Sequence, residues 1–243
     1  MKKVVLIPTY NEIENIEAIL RKVTSLEGDF EVLVIDDGSP DGTAAAVRNV
    51  QSEFPQRIHL LERSGKLGLG TAYIAGFRWA LERSYDYIFE MDADFSHNPD
   101  DLVRLFRAAV EKQAGLVIGS RYVCGVNVVN WPMSRVIMSY YASVYVRVAT
   151  RMPVRDATAG FVCYSHKALA ALDFDRIRMK GYGFQIEMKY TVWRLGFPIA
   201  EVPIIFTDRT SGTSKMSSGI FGEAFWGVMR LRFKKIRKKA AGN

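Results

Sequence analysis

The chain is poor in the residues that metal-bound, disulfide-stapled and membrane-spanning proteins rely on. It has 2 cysteines and 3 histidines in 243 residues. Cys124 and Cys163 stand alone, without metal-ligand spacing, so free thiols in a reducing cytosol are the plain reading. His59, His97 and His166 share no spacing that would gather zinc, and no Ser-His-Asp order stands out, so each is read as structural or solvated. No apolar run of about 18 residues occurs, which argues against a spanning helix. The opening "MKKVVLIPTYNE" runs from a short apolar stretch into a turn and lacks a small-residue cleavage site, so a signal peptide is not expected. Internal repeats and low-complexity stretches are also missing.

What is present suits one large domain with its own core, or a domain with an appendage: 49% of the residues are hydrophobic. Net charge is +7, from 33 basic and 26 acidic residues. The excess lies entirely between Arg230 and Asn243, a segment without acids, and the rest of the chain is balanced. A neutral body with a basic end points to a local anchor for something anionic. It argues against a nucleic-acid-binding protein, which would spread cations along a groove and interleave them with aromatics.

Short β-branched runs at 3–8, 31–36, 57–62, 85–91 and 115–120 read as buried strands, with helices between them, including 70–83 and 100–111. Asn11 and Glu14 resemble an N-cap with its box partner, opening a helix that carries Ile13, Ile16, Ile19, Leu20 and Val23. Beyond Arg121 the rhythm changes to a Tyr-, Val- and Met-rich helix at 132–150, a strand at 159–165, a helix at 183–195 and a strand at 200–206. Residues 207–218 read as a polar Gly/Ser loop, and a last helix begins near 219. Alternation of this kind, with continuously apolar strands, predicts an α/β fold: a mostly parallel sheet with helices on both faces. The expected division is a catalytic domain over 1–218 and a basic amphipathic helix over 219–243.

In such sheets, ligands bind beyond the carboxyl ends of the strands. Pro8, Tyr10 and Glu12 follow the first strand, Asp36 and Asp37 close the second, and Asp92 and Asp94 close the fourth, so three strand ends offer polar groups to one crevice. The aspartates of "MDADFSHNP" (91–99) have two readings. One is a cap for the helix that Asn98-Pro99 introduces. The other is chemical: residues two apart on an extended segment point the same way, and close carboxylates repel unless a cation joins them. Mg²⁺ or Mn²⁺ uses one or two carboxylates together with substrate phosphates. "DDGSPDG" (36–42) is no calcium loop, because the twelfth position of that pattern is Arg48. "GKLGLG" (65–70) fits neither the phosphate-loop nor the dinucleotide pattern, and a mobile segment beside the ligand remains open. Arg209 and Lys215 flank Gly212 and Ser214 in a loop that is either a solvated turn or a lid over phosphates.

Taken in order, "PTYNE" (8–12), "IDDGSPDGT" (35–43), "LGLGTAY" (67–73), "MDADFSHNP" (91–99), "GSRY" (119–122) and "EVPI" (201–204) resemble the polyprenol-phosphate sugar transferases. With "DR" (208–209) and "SK" (214–215) the pattern is most similar to the dolichol-phosphate mannose synthases, over about residues 3–216. The resemblance implies a GT-A fold, GDP-mannose as donor, a divalent metal (Mg²⁺ or Mn²⁺), and a polyprenyl or dolichyl phosphate acceptor. It places the guanosine at Pro8, Tyr10, Glu12 and Asp37. It places diphosphate and metal at Asp92, Ala93 and Asp94, with Asp94 the direct metal ligand. It sets Arg121 and Arg135 near the acceptor phosphate, and Arg209 and Lys215 in a phosphate-gripping loop. Some relatives carry Gln where this chain has Ser96, which leaves that position open as a metal contact.

The expected reaction is inverting transfer of mannose to the lipid phosphate. Transfer from UDP-glucose to the same lipid, transfer to a hydroxyl acceptor, and a nucleotide-binding subunit without turnover are the alternatives. No base is assigned, and Asp156 is read as structural or substrate-orienting. Phe221, Phe225, Val228, Leu231 and Ile236 fall near one another at helical spacing with cations elsewhere, the pattern of a helix lying on a membrane surface. A packed C-terminal helix with a solvated end is the other reading. Some relatives continue into transmembrane segments, so a partner subunit in the membrane is a further expectation. The expected location is the cytoplasmic face of a membrane, peripherally attached.

Overall fold

The computed structural model describes residues 1–179, 181–208, 219–236 and 238, with Tyr182 and residues 219–224 described by their backbone alone. The first half alternates as expected: β1 (Lys3–Thr9), α1 (Ile16–Thr24), β2 (Phe30–Asp36), α2 (Thr43–Glu53), β3 (Ile58–Glu62), α3 (Leu69–Glu82), β4 (Tyr87–Glu90), α4 (Asp101–Glu111) and β5 (Leu116–Ser120). The second half holds β6 (Val128–Val129), α5 (Met133–Thr150), β7 (Val162–Ser165), α6 (His166–Ala170), α7 (Gly181–Arg194), β8 (Ile199–Pro203), β9 (Phe206–Thr207) and α8 (Gly219–Leu231).

The main sheet has the order β3-β2-β1-β4-β7-β5-β8, and β6 pairs with β9 apart from it. All its neighbours are parallel except β7, which enters antiparallel between β4 and β5 and meets both through Val162 and Cys163. Successive strand residues face opposite sides of the sheet. Val4, Leu6, Leu33 and Ile35 therefore join α3, α5 and α7 in one apolar cluster. Val5, Ile7, Val32 and Val34 join α1, α2 and α4 in the other. Both faces are covered, which is why the strands read as unbroken apolar runs. Gly76 lets α3 lie against this sheet: a β-carbon there would come within 2.7 Å of Ile35 Cδ1 and 2.9 Å of Leu6 Cδ1.

Two expectations are corrected. Asn11 does not cap a helix; it has φ of 60°, and α1 starts only at Ile16. The turn is held from the side instead. The backbone N–H groups of Asn11, Glu12 and Ile13 donate to Ser39 Oγ (3.0 Å), Thr43 Oγ1 (3.0 Å) and Asp41 Oδ2 (3.2 Å). Those partners lie 28 to 31 residues away in sequence, so local capping rules could not find them. Ile13 is left exposed.

The C-terminal segment is the second correction. The helix ends at Leu231, so of the tail cations it holds Arg230 alone, and α8 does not stand apart from the body. Val228 and Leu231 sit in the core cluster with α7, and Ile236 packs against it. Phe225 stacks on Tyr145 of α5, with ring centroids 4.8 Å apart. Lys234 donates to Arg176 O at 2.6 Å and to the buried carboxylate of Glu187. Most of the face assigned to lipid is thus turned to protein, because those side chains complete an apolar surface that α5 and α7 would otherwise expose. The exposed apolar residues of α8 and the turn after it are Phe225, Trp226, Met229 and Phe233. Phe221 lies outside the described side chains. Among the described residues no helix is long and apolar enough to cross a membrane.

Candidate active site

The carboxyl ends of β1, β2 and β4 open into a cavity of about 970 Å³. Following the order of the strands, its lining runs from Asp37 after β2, through Pro8, Tyr10 and Glu12 at β1 and Asp92, Ala93 and Asp94 after β4, to Arg121 after β5, and Lys66, Arg135 and Asp208 line it too. Met138, Ala142, Tyr145, Val146, Phe225 and Val228, from α5 and α8, add apolar lining. Every predicted site residue within the described part lines this one cavity. Arg209 and Lys215 lie outside the described residues.

The paired aspartates after β2 divide their work. Asp36 is buried and accepts from Thr9 Oγ1 (2.8 Å), Ser39 N (2.8 Å) and Ser39 Oγ (2.6 Å), which locks the turn. Asp37 faces the cavity. Its Oδ1 lies 3.2 Å from Arg63 Nε, and its Oδ2 accepts from Leu67 N at 3.3 Å. Burial raises the Asp37 carboxyl above its ordinary value, and the Arg63 charge works against that rise.

Asp92 and Asp94 follow β4 at the same cavity wall, with buried Ala93 between them. Their loop is pinned from two sides. His97 Nδ1 accepts from Asp92 N at 3.3 Å, and Asp94 Oδ1 accepts from Ser96 N at 3.1 Å. Burial holds His97 down to about 4, so its ring is neutral near pH 7, with the proton on Nε2. The ring also stacks on Phe161, centroids 4.9 Å apart. Its role is structural, as expected of the three histidines: His59 bonds Glu31 and His166 bonds Tyr85 O. Among the described residues no group of three or more His, Cys, Asp or Glu forms a ready-made metal cage. Two carboxylates short of a full ligand set suit a hard cation whose remaining ligands come from substrate phosphates and water. The Ser96 hydroxyl is buried without a hydrogen-bond partner beside them.

Behind Arg121, Asp156 is fully buried and accepts from Arg121 N (2.9 Å), Nε (2.8 Å) and Nη2 (2.7 Å). Burial alone would raise this carboxyl; the charge and hydrogen bonds of Arg121 outweigh it and hold it below the ordinary value. A carboxylate so occupied is a brace and no base. Arg135 pairs with Asp208 at 3.0 Å and lies 4.0 Å from the centroid of the Trp131 ring, with Arg121 5.4 Å from the same centroid.

Sequence reasoning missed what stands behind this wall. Lys189 is fully buried and donates to Ala159 O (2.6 Å) and Gln185 Oε1 (3.1 Å), while Gln185 Nε2 donates to buried Glu90. Burial pushes Glu90 up to about 8 and Lys189 down to about 8. Glu187 and Lys189 in the otherwise apolar run "FQIEMKYTVW" were the available signal, since a helix apolar on all sides is a buried one. Trp131 and Arg63 had no local signal.

Residues 4–172 match the profile of glycosyl transferase family 2. The chain belongs to that family. It is 49% identical over 230 residues to the undecaprenyl-phosphate mannosyltransferase of Micrococcus luteus, covering 95% of this chain and 93% of the relative. It is 44% identical over 232 residues to the polyprenol monophosphomannose synthase of Mycolicibacterium smegmatis, covering 93% of this chain and 87% of that one. Among solved structures, glucosyl-3-phosphoglycerate synthase from Mycobacterium tuberculosis, in complex with Mn²⁺, UDP and glucosyl-3-phosphoglycerate, superposes with a TM-score of 0.66. It is 20% identical, covering 95% of this chain and 78% of that one. The same enzyme has been solved with Mg²⁺ and UDP, at a TM-score of 0.63 and 21% identity, covering 88% of this chain and 72% of that one. At that identity the likeness establishes the fold, which is GT-A. The family 2 transferase described here is thus an enzyme built on the expected architecture.

Proposed function

We propose that this family 2 transferase moves mannose from GDP-mannose to the phosphate of a polyprenyl lipid, with inversion, giving polyprenyl β-mannosyl phosphate and GDP. The observation that carries this reading is one cavity lined at once by carboxylates, by arginines and by apolar side chains of α5 and α8. A nucleotide sugar with its metal suits the carboxylates. A lipid phosphate needs both of the others. The two curated relatives, whose names describe mannosyl transfer to polyprenyl phosphate, support the same assignment.

In this reading Pro8, Tyr10, Glu12 and Asp37 hold the guanosine, and Asp94, with Asp92, holds Mg²⁺ or Mn²⁺ against the diphosphate. The metal, when bound, neutralises charge on the departing GDP. Arg209 and Lys215 serve the same leaving group. Arg135 exchanges its partner Asp208 for the acceptor phosphate. Arg121, braced by Asp156 and turned toward the cavity, keeps the local field positive. A phosphate monoester with a second pKa near 6 already carries its charge at neutral pH, so its oxygen attacks the anomeric carbon without a base. That fits a site in which Asp156 is fully committed to Arg121.

The acceptor is insoluble, so the enzyme works at a membrane surface, on the cytoplasmic side where nucleotide sugars are made. Attachment uses the outward apolar residues of α5, α8 and the turn after it, among them Tyr141 (63% exposed), Trp226 (65%) and Phe233 (78%), with the tail cation Lys235 two residues on from Phe233. Aromatics on an amphipathic surface with nearby cations suit an anionic interface. A partner subunit in the membrane would add to this attachment.

The deciding experiment supplies radiolabelled GDP-mannose, a short polyprenyl phosphate, Mg²⁺ or Mn²⁺ and detergent, and counts the organic phase for wild type and Asp94→Ala. Metal-dependent counts that vanish in the variant support the assignment. Counts from UDP-glucose and none from GDP-mannose would replace the donor.

A further inference from the structure

The turn after α8 sends its side chains in two directions. Phe233 and Lys235 are exposed, whereas Lys234 between them points inward. Backbone bonds from Phe233 N to Arg230 O (3.1 Å) and from Lys234 N to Leu231 O (3.0 Å) shape the turn itself. Two of its cations fasten it to the body. Arg232 Nη1 donates to Ala149 O in the last turn of α5 at 3.1 Å. Lys234 Nζ donates to Arg176 O at 2.6 Å and to Glu187 Oε1 of α7.

Glu187 carries that contact toward the cavity. Its side chain is 2% exposed, against 23% for Lys234. Its second oxygen, Oε2, accepts from Arg178 N (2.8 Å) and Met179 N (2.7 Å). One buried carboxylate therefore joins the C-terminal turn to the segment 176–179 that precedes α7. Met179 in turn reaches the seam between α7 and α8: β-carbons at Gly183 and Gly227 would come within 2.7 and 2.5 Å of its Cε. Both helices go on to line the cavity, α7 through Gly181, Gln185 and Ile186 and α8 through Phe225 and Val228. The transfer step makes no direct use of Lys234, Glu187 or residues 176–179.

We propose that Lys234 is a positioning residue through which attachment of the C-terminal turn to an anionic membrane seats α7 and α8 around the acceptor. This rests on the membrane-surface reading above. A buried carboxylate needs a counter-charge, and Lys234 supplies one. Withdrawing it strands the charge of Glu187 and disfavours the packing of 176–179 that the carboxylate holds. The turn thus has two arrangements, with Lys234 docked on Glu187 or released to water. Lipid acts on that equilibrium through the neighbouring residues. In the docked arrangement Phe233 and Lys235 already face outward, so reaching the surface costs little ordering, whereas a released turn must be ordered on arrival. An anionic surface therefore favours docking, and by linkage docking favours the surface.

The test is amide hydrogen exchange on the full chain, with and without phosphatidylglycerol vesicles, alongside vesicle pelleting. The amides of Arg178 and Met179, which close on Glu187, report the docked arrangement. In wild type, vesicles should slow their exchange several-fold and leave unchanged the Ser39 amide, which Asp36 holds in the nucleotide half. Lys234→Met should exchange faster at 178 and 179 and gain nothing from vesicles, and Lys234→Arg should recover most of the protection. With vesicle-borne polyprenyl phosphate, Lys234→Met should raise the KM for the acceptor several-fold and leave that for GDP-mannose unchanged. Wild type that pellets with exchange at 178 and 179 unchanged overturns the coupling. Faster exchange there overturns it too, because lipid would then be drawing Lys234 away from Glu187, and equal slowing at Ser39 would reduce the effect to general stabilisation. A Lys234→Met protein that answers vesicles as wild type does overturns the role of Lys234. Wild type that does not pellet overturns the membrane reading and this inference together. The wild-type comparison decides the coupling even where a variant fails to fold.

Discussion

The two ends of the cavity are built in opposite ways. The nucleotide end is assembled from turns that directly follow β1, β2 and β4, and backbone N–H groups hold its carboxylates and the turn beneath them, as Ser39 N holds Asp36, Leu67 N holds Asp37 and Ser96 N holds Asp94. The acceptor end gathers Arg121, Arg135, Asp156 and Asp208 from four separate segments. It is held by side chain to side chain contacts across 35 and 73 residues of sequence. Local hydrogen bonding makes the first end rigid before substrate arrives. Paired charges make the second end exchangeable, because an ion pair such as Arg135–Asp208 can give way to a phosphate.

The largest effect expected from breaking this contrast lies where the two ends meet. Asp94→Ala should lower the transfer rate by about 10³-fold while leaving the melting temperature nearly unchanged, since it removes charge stabilisation of several kcal/mol from the leaving group. Enzyme assay and calorimetry on the same preparation check both halves of that statement. Asp156→Asn comes next. It strands the buried guanidinium of Arg121 and should destabilise the fold by about 3 kcal/mol in denaturant titration.

That substitution also carries a pH signature. The charge and hydrogen bonds of Arg121 hold the Asp156 carboxyl below its ordinary value of 3.8 in the folded state. Its contribution to stability is complete above that value and is lost as pH falls through the lower folded one. In the Asn variant this part of the acid limb should disappear, so the stability difference from wild type should shrink as pH falls below the ordinary carboxylate range. A difference that stays constant with pH would mean that Arg121 is braced by something else.

Smaller effects sharpen the comparison. Arg135→Lys keeps the charge and loses the planar fork and the Trp131 stack, so the KM for polyprenyl phosphate should rise about tenfold with that for GDP-mannose little changed. A rise in both would show that the two ends are not separable. Replacing Trp226 and Phe233 together by Ala should weaken pelleting with anionic vesicles several-fold. Activity on a short, detergent-solubilised acceptor should be unaffected.

Legibility in the sequence follows the same divide. The alternating first half, Asp37 and the Asp92–Asp94 pair could be read because strands ending in turns leave their mark within a dozen residues. The Asn11 cap failed because its role is taken by Ser39, Asp41 and Thr43, a loop away. The C-terminal helix was left with two readings for a related reason: a periodic apolar face does not say whether lipid or protein covers it. Here α5 and α7 claim Val228 and Leu231, and Lys234 is drawn inward by Glu187. Truncating from residue 230 would accordingly remove part of the core along with the tail.

The antiparallel entry of β7 sets the order in which the molecule can be finished. During synthesis the nucleotide half, through β4, emerges as a four-stranded parallel sheet whose β4 edge has no neighbour. Its neighbour comes only after the chain has made α5 and the Arg121-binding segment and turned back. Until Val162–Ser165 leaves the ribosome, that edge is open to strands of other chains. The last strand to seal the sheet from inside is the one that follows the brace Asp156. A nascent chain stalled before it would be sticky along β4, and one that has passed it would still await β8 at the edge of β5 and Asp208 in the cavity.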